Sequence, residues 1–553
     1  MGKKVTNKSV CKAKAAECTI DKNAPNQIPK PICSGQRKEL INETDSGRNK
    51  CSTQTRSSVN GKEKMSQVNA TPNRKKINSL KLSEVGNASA KLIESKISGP
   101  KHEEPPKKKT TKDVRKDSEC PIPENLEEDI LCCDLDQQED PNQYSVGGFH
   151  PVAISDLLHD RYYVLCKLGW GTFSTVWLCW DLIGKRFVAL KIVKSHPTDT
   201  KSALNEIKIL RSVGKSQKVV QLLDNFKVNG VNGTHICMVF EVLGHSTLKF
   251  ISPLKLGLPL PTVKTIIRQV LEGLNELHTK CGVIHTDIKP ENILVCVDDP
   301  FVRKMAADVW ECHRTGKKLT GSLVSSAPQK LQSSRKNNDE RKEKEKAQLL
   351  LSQLRHIEKY SRHSSTDSLD DTKPVLEVPY SDLLVKIVDL GSACSVKNSN
   401  FSQKIQTRPY RCLESLICAK FGPPADIWST ACVAFELATG DYLFYPKAGV
   451  EYSKDDDHLA LIIELLGEIP KDVLASGKVS YRFFSETGAL WNIESFKPWG
   501  LCNVLIEKYR WGARDAHDFA EFLHSMLAFD PKERATAAEC LLHPWLTGVP
   551  RIL

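Results

Sequence analysis

The segment His285-Thr286-Asp287-Ile288-Lys289-Pro290-Glu291-Asn292-Ile293-Leu294 places a carboxylate, a cation and an amide side chain within a few residues of one another. No simple structural need accounts for that spacing. It suits phosphoryl transfer to a hydroxyl group. Asp287 can accept the hydroxyl proton and orient the oxygen for in-line attack, Lys289 can set positive charge on the transferring group, and Asn292 can hold Mg²⁺.

Working outward, the same chemistry recurs in order. Upstream, Leu168-Gly169-Trp170-Gly171-Thr172-Phe173-Ser174-Thr175-Val176 lies between two strand patterns. A glycine-rich turn alone is commonplace, but glycine without Cβ lets backbone approach ATP phosphates. Val188-Ala189-Leu190-Lys191 ends the following strand pattern. A lone strand lysine usually faces solvent; here its ammonium is placed to hold the α- and β-phosphates, with Glu206 on the next helix to orient it. Downstream, Asp389-Leu390-Gly391 follows a β pattern, and Asp389 is the expected chelator of Mg²⁺ bridging the β- and γ-phosphates.

The patterning around these residues predicts strands over 162–169, 175–181, 186–193 and 236–243 and a helix over 201–213. From Pro261 a second helix is predicted, its buried face marked by Ile266, Ile267, Val270, Leu271, Leu274 and Leu277. Strands first and helices later point to an α+β chain of two lobes.

Two stretches lack this patterning. Residues 1–142 are read as a disordered tail, basic then acidic; the Lys/Ser/Asn/Thr-rich composition of 1–116 buries too little apolar surface to offset ordering entropy. Residues 1–116 hold 27 Lys/Arg against 11 Asp/Glu, a balance of +16, which leaves 52 against 56, or −4, for the rest of the chain. The overall charge of +12 therefore belongs to the tail, which argues against a nucleic-acid-binding core. The run Lys107-Lys108-Lys109 to Lys116 fits a nuclear import signal or a solvated charge run, and residues 117–140 turn acidic. Residues 296–384 are read as a disordered spacer, in which 339–360 could form an isolated helix. It separates 143–295 from 385–553. No apolar run is long enough to span a membrane. Gly2 with Thr6 fits the loose myristoylation pattern. The 19 cysteines form no CxxC pair, so reduced thiols rather than zinc or disulfides are expected.

These motifs resemble the eukaryotic protein kinases. With Val231 to His245 and Pro424-Ala425-Asp426-Ile427-Trp428-Ser429-Thr430-Ala431-Cys432, they look like the SR-protein kinases in particular. The resemblance covers roughly 143–295 and 380–550, and the insert has the position of that family's spacer. It implies the bilobal kinase fold, with a β-rich N-lobe and a helical C-lobe. It also implies ATP and Mg²⁺ as cofactors and serines of Arg-Ser-rich splicing factors as substrates. Phe240 would be the gatekeeper, Glu241 and Leu243 hinge residues, and Val176, Ala189 and Leu294 the walls around adenine. Glu414 would pair with Arg534, and Asp426 would brace the catalytic loop. Asp441, Asp457 and Glu464, with Lys508 nearby, match an acidic groove that docks Arg-rich segments; a solvated acidic loop is the bland alternative. Thr286 stands where many kinases have an Arg that needs an activation-loop phosphate, so activity without that phosphate is expected. Pro409 stands where this family has Gln.

The intact set Lys191, Glu206, Asp287, Asn292 and Asp389 argues against a kinase-fold scaffold. A kinase of other specificity and a tail-driven RNA-binding factor are further alternatives. The expected protein is a monomer in cytoplasm and nucleus.

Overall fold

The computed structural model describes residues 138–251, 257–315, 317, 319, 321–333, 352, 382–398 and 404–548. The predicted tail up to residue 137, and the stretch 339–360 apart from Ser352, lie outside these.

The N-terminal lobe is an antiparallel sheet of β1 (Leu157–Leu158), β2 (Tyr162–Trp170), β3 (Ser174–Asp181), β4 (Arg186–Val193), β5 (Leu222–Gly230) and β6 (Gly233–Phe240). Its strand order is β1-β2-β3-β4-β6-β5. The strand predicted at 236–243 ends at Phe240, and Leu243 opens a separate short strand, β7 (Leu243–Ser246), which pairs within the second lobe. Helix α1 (Pro197–Val213) crosses the sheet. It begins four residues earlier than the periodicity predicted, because Pro197 fits a first helical turn that needs no N–H, and it ends at Gly214 with φ 68°.

In the second lobe, α2 (Leu260–Asn275) buries the predicted face of Ile266, Ile267, Val270, Leu271 and Leu274. It runs on into a π-helical turn, Glu276–Cys281. The strand pairs β8 (Val283–Ile284) with β11 (Cys394–Ser395), and β9 (Ile293–Cys296) with β10 (Val385–Ile387), bring segments from either side of the spacer together. Helix α4 (Pro424–Thr439) is buried all round and forms the lobe's axis. Helices α5 (Lys454–Leu466) and α6 (Ala513–Met526) lie beyond it. One core runs from Ala203, Ile207 and Leu210 of α1 through α2 to α4.

Two expectations are corrected. The spacer is not unstructured at its start: α3 (Asp299–Arg314) buries Val302, Ala306 and Val309 against Leu165, Cys166, Leu178, Trp180 and Phe187 of the sheet. The apolar residues at steps of four and three make a helical stripe, and the sheet's outer apolar patch needs that cover. The tail also ends earlier than residue 142. Glu139 is fully buried and forms an ion pair with the equally buried Lys167 of β2. Tyr144 Oη donates to Glu139 Oε1 at 2.6 Å, the Ser326 amide donates to the same oxygen at 3.2 Å, and Ser326 Oγ donates to the Glu139 carbonyl at 2.6 Å. A buried ammonium needs such a partner, so leader and spacer are bound into the lobe together.

Candidate active site

The glycine-rich turn joins β2 to β3, with Gly169 opposite Val176 and Trp170 opposite Thr175. A Cβ built on Gly169 or Gly171 would meet no atom of the chain within 4 Å, and neither residue has positive φ. Internal packing and backbone strain therefore do not demand glycine here; a bare backbone suits close approach by something outside the chain. Thr172 and Phe173 are exposed at the tip, and Ser174 is buried at the start of β3. Leu168 and Val176 are partly buried against the core that includes Ala189, Phe240 and, at its margin, Leu243; Leu294 of β9 is partly exposed. The Glu241 side chain is taken up by Lys386, at 2.6 and 2.8 Å, and by the Gln221 amide. Any contact of Glu241 with a base is left to its main chain.

Lys191 Nζ lies 3.0 and 3.2 Å from the Glu206 carboxylate oxygens and 2.8 Å from Asp389 Oδ1. Burial works against the Lys191 charge, but Asp389 and Glu206 outweigh it and raise its pKa. The Lys191 charge holds Asp389 down at about 2 despite burial. Burial pushes Glu206 upward against the pull of Lys191; with both its oxygens on that ammonium, we read the pair as ionised. Two further bonds fasten α1 to the segment after Asp389: Ser202 Oγ to the Gly391 carbonyl at 2.6 Å, and Asn205 Nδ2 to the Ala393 carbonyl at 3.1 Å. A Cβ on Gly391 would stand 3.3 Å from Asp389 Oδ1, a tight fit beside the proposed chelator.

The catalytic loop hangs from α4. Buried Asp426 accepts from the His285 amide and the Thr286 amide, both at 2.8 Å, and lies 2.8 Å from His278 Nε2. His278 reaches it from the π-helical turn, a local widening often found at functional sites. Thr286 takes φ 66°, and its hydroxyl donates to the Ser392 carbonyl at 2.9 Å. Both Asp287 oxygens are engaged. Oδ1 accepts from Thr407 Oγ1 at 2.7 Å, while Oδ2 meets Lys289 Nζ at 3.0 Å and Asn292 Nδ2 at 3.1 Å. Lys289 also donates to Thr407 Oγ1 at 3.0 Å. Because the Asn292 amide nitrogen is spent on Asp287, its oxygen is left as the ligand atom. The Val388 amide donates to the Asn292 carbonyl at 3.0 Å, so the β9–β10 ladder sets Asn292 beside Asp389. Among the described residues no group of three His, Cys, Asp or Glu could hold a metal by itself. One carboxylate and one amide oxygen fit Mg²⁺, which takes its other ligands from phosphates and water.

Arg534 and Glu414 form a bidentate buried pair at 2.7 and 2.9 Å, with the Arg534 guanidinium over the Trp428 ring. The acidic run separates into distinct roles. Asp455 binds Arg408 at 2.6 Å and also Lys404, and Asp456 caps α5 with Ser453. Asp457 Oδ2 accepts from the Lys447 amide at 2.7 Å, and Glu464 Oε1 from the Lys497 amide at 2.7 Å. Asp441 Oδ2 accepts from Lys508 at 2.9 Å and from Tyr509 at 2.8 Å. Sequence reasoning passed over Thr407, the Arg408–Asp455 tie, and the exposed rings of Tyr445 and Trp499; the Trp499 amide donates to the Glu464 carbonyl.

Residues 162–305 and 369–546 match the protein kinase domain family. SRSF protein kinase 3 of Homo sapiens is 42% identical over 77% of this chain and 93% of its own length. Serine/threonine-protein kinase SRPK of Physarum polycephalum is 40% identical over 75% of this chain and 93% of its own. Protein kinase dsk1 of Schizosaccharomyces pombe is 37% identical over 74% and 85%.

Proposed function

The chain belongs to the SR-protein kinase family of Ser/Thr protein kinases, and from that premise we infer how its own residues divide the reaction. Protein kinases use ATP and Mg²⁺. Gly169 to Val176 cover the phosphates, Leu168, Val176, Ala189, Phe240, Leu243 and Leu294 enclose adenine, and Lys191, held by Glu206, meets the α- and β-phosphates. Asn292 and Asp389 hold Mg²⁺, which neutralises phosphate charge when bound. Asp287 takes the proton of a substrate serine as its oxygen bonds to the γ-phosphorus and the bond to the β–γ bridging oxygen breaks; Lys289 stands by the transferring group.

The observation that carries this reading is the Asp287 carboxylate, fixed at both oxygens by Thr407, Lys289 and Asn292. Orientation of this kind lowers a barrier without strain. Arg-Ser-rich splicing factors are the substrates proposed, docked through Asp441, Asp457 and Glu464, by a monomer acting in cytoplasm and nucleus. Activity without an activation-loop phosphate is part of the proposal. Thr286 is uncharged, and the Lys404 and Arg408 ties to Asp455 hold the end of that segment without one.

The test is γ-phosphate transfer from Mg·ATP to an Arg-Ser repeat protein, using bacterially made, phosphatase-treated chain. Asp287→Ala is expected to lower the rate by at least about 100-fold. No transfer by the unsubstituted chain would sink the phosphate-independent reading, and equal transfer by Asp287→Ala would sink the assigned base.

A further inference from the structure

Away from the active site, a groove of about 510 Å³ lies between the start of α1 and the β5–β6 hairpin, lined by Pro197, Thr200, Lys201, Leu204, Lys227 and Ile236. Leu204 is 49% exposed, unusual for a leucine on a helix that otherwise buries its apolar side chains. Lys201 and Lys208, at steps of three and four from it, share its helix face, with Arg211 one turn further on. Lys227 stands across the groove. Among the described residues neither Lys201 nor Lys227 has a carboxylate partner. The acidic residue nearest in sequence, Asp199, accepts from Thr198. The groove is thus an apolar floor with a basic rim, and it calls for a short apolar segment carrying several carboxylates.

This chain contains such a segment just before its first described residue: Glu124-Asn125-Leu126-Glu127-Glu128-Asp129-Ile130. It has two apolar side chains four apart among four carboxylates. The reach is sufficient. Glu139 is pinned to Lys167, which pairs with Trp177, itself opposite Leu190 of β4. Ser195, at the groove, is therefore about 10 Å across the sheet and about 17 Å along it, or roughly 20 Å away. Residues 131–137 can span up to about 24 Å. The chain after Glu139 already borders the groove: the Ser195 amide donates to the Gly148 carbonyl at 3.2 Å, and Ser195 Oγ to the Asn232 carbonyl at 2.6 Å.

We propose that residues 124–130 dock in cis into the groove between α1 and the β5–β6 hairpin, with Leu126 and Ile130 on its apolar floor and the carboxylates against Lys201 and Lys227. Occupancy holds α1, and α1 carries Glu206 to Lys191. The leader then supports the nucleotide site from behind.

Zero-length carbodiimide cross-linking of the full chain, mixed from heavy- and light-isotope preparations and read by mass spectrometry, tests this without any phosphoryl transfer. Lys201 or Lys227 is expected to link to Glu124, Glu127, Glu128 or Asp129 within one chain. Leu126→Ser/Ile130→Ser should cut that yield at least five-fold and speed amide exchange over 197–208 at least three-fold. Carboxylates that link only to the lysines of 107–116, or to neither, overturn the proposal, as does exchange that the double variant leaves unmoved. Links between heavy and light chains would put a second copy in the groove and overturn docking in cis.

Discussion

At the residue scale, the glycines of the phosphate turn and a buried glutamate make separate claims. Since a Cβ at Gly171 has open space and φ is negative there, Gly171→Ala should fold normally, with a melting temperature within about 2 °C of the parent and a KM for ATP raised several-fold. A large loss of stability with unchanged KM would show that the glycine serves packing. Burial pushes the Glu436 carboxyl up to about 8, while the Tyr410 hydroxyl, donating at 2.7 Å, pulls the other way. The folded chain therefore keeps a proton that the unfolded chain, with an ordinary value of 4.5, releases. Stability from this group is complete below that value and is lost as pH rises through about 8, at up to about 1.4 kcal/mol per pH unit. Melting of Glu436→Gln and parent between pH 6 and 8 should diverge steadily, the parent losing more; parallel curves would contradict it. The residues proposed for catalysis, which the fold brings together, could be picked out in sequence because they sit in short, chemically odd runs. The duties of Asp455 and Asp456 were not, because their partners Arg408 and Ser453 are assigned by folding and by helix capping, and a run of three aspartates looks uniform on paper.

At the scale of elements, β2, β3, β4 and α2 followed their periodicities, whereas β5 and α3 were hidden. The α3 stripe of Val302, Ala306 and Val309 is short, two of the helix's buried side chains are alanines, and it opens a stretch dominated by Ser, Lys and Glu. Only the apolar flank of the sheet explains why it forms. Val302→Ala should cost about 2 kcal/mol and Val302→Asp distinctly more, since the latter buries an unpaired charge. Thermal melts of the two variants check this. If residues 299–314 were merely a solvated connection, neither substitution would move the transition.

At the scale of the whole molecule, Asp287 and the carboxylates proposed for docking, Asp457 and Glu464, are far apart in sequence but share one frame, α4 and α5. Asp426 suspends the catalytic loop, and seven residues separate Asp457 from Glu464 along α5. Asp457→Asn/Glu464→Gln should raise the KM for an Arg-Ser-rich protein about ten-fold while leaving the KM for ATP unchanged, as two charge-assisted pairs are lost from a partly exposed site. Steady-state kinetics with each substrate varied in turn will show it, and an unchanged protein KM would return these carboxylates to the solvated surface. The buried Glu139–Lys167 pair, sealed by Ser326, has an implication for inheritance. Three stretches that a genome could exchange separately, the leader, the second strand and the spacer, are coupled through one glutamate. A descendant that traded its leader for one without an acid at 139 would have to change residue 167 in the same step, and one that traded its spacer would leave Glu139 without the Ser326 bonds, so these parts are constrained to diverge as a set.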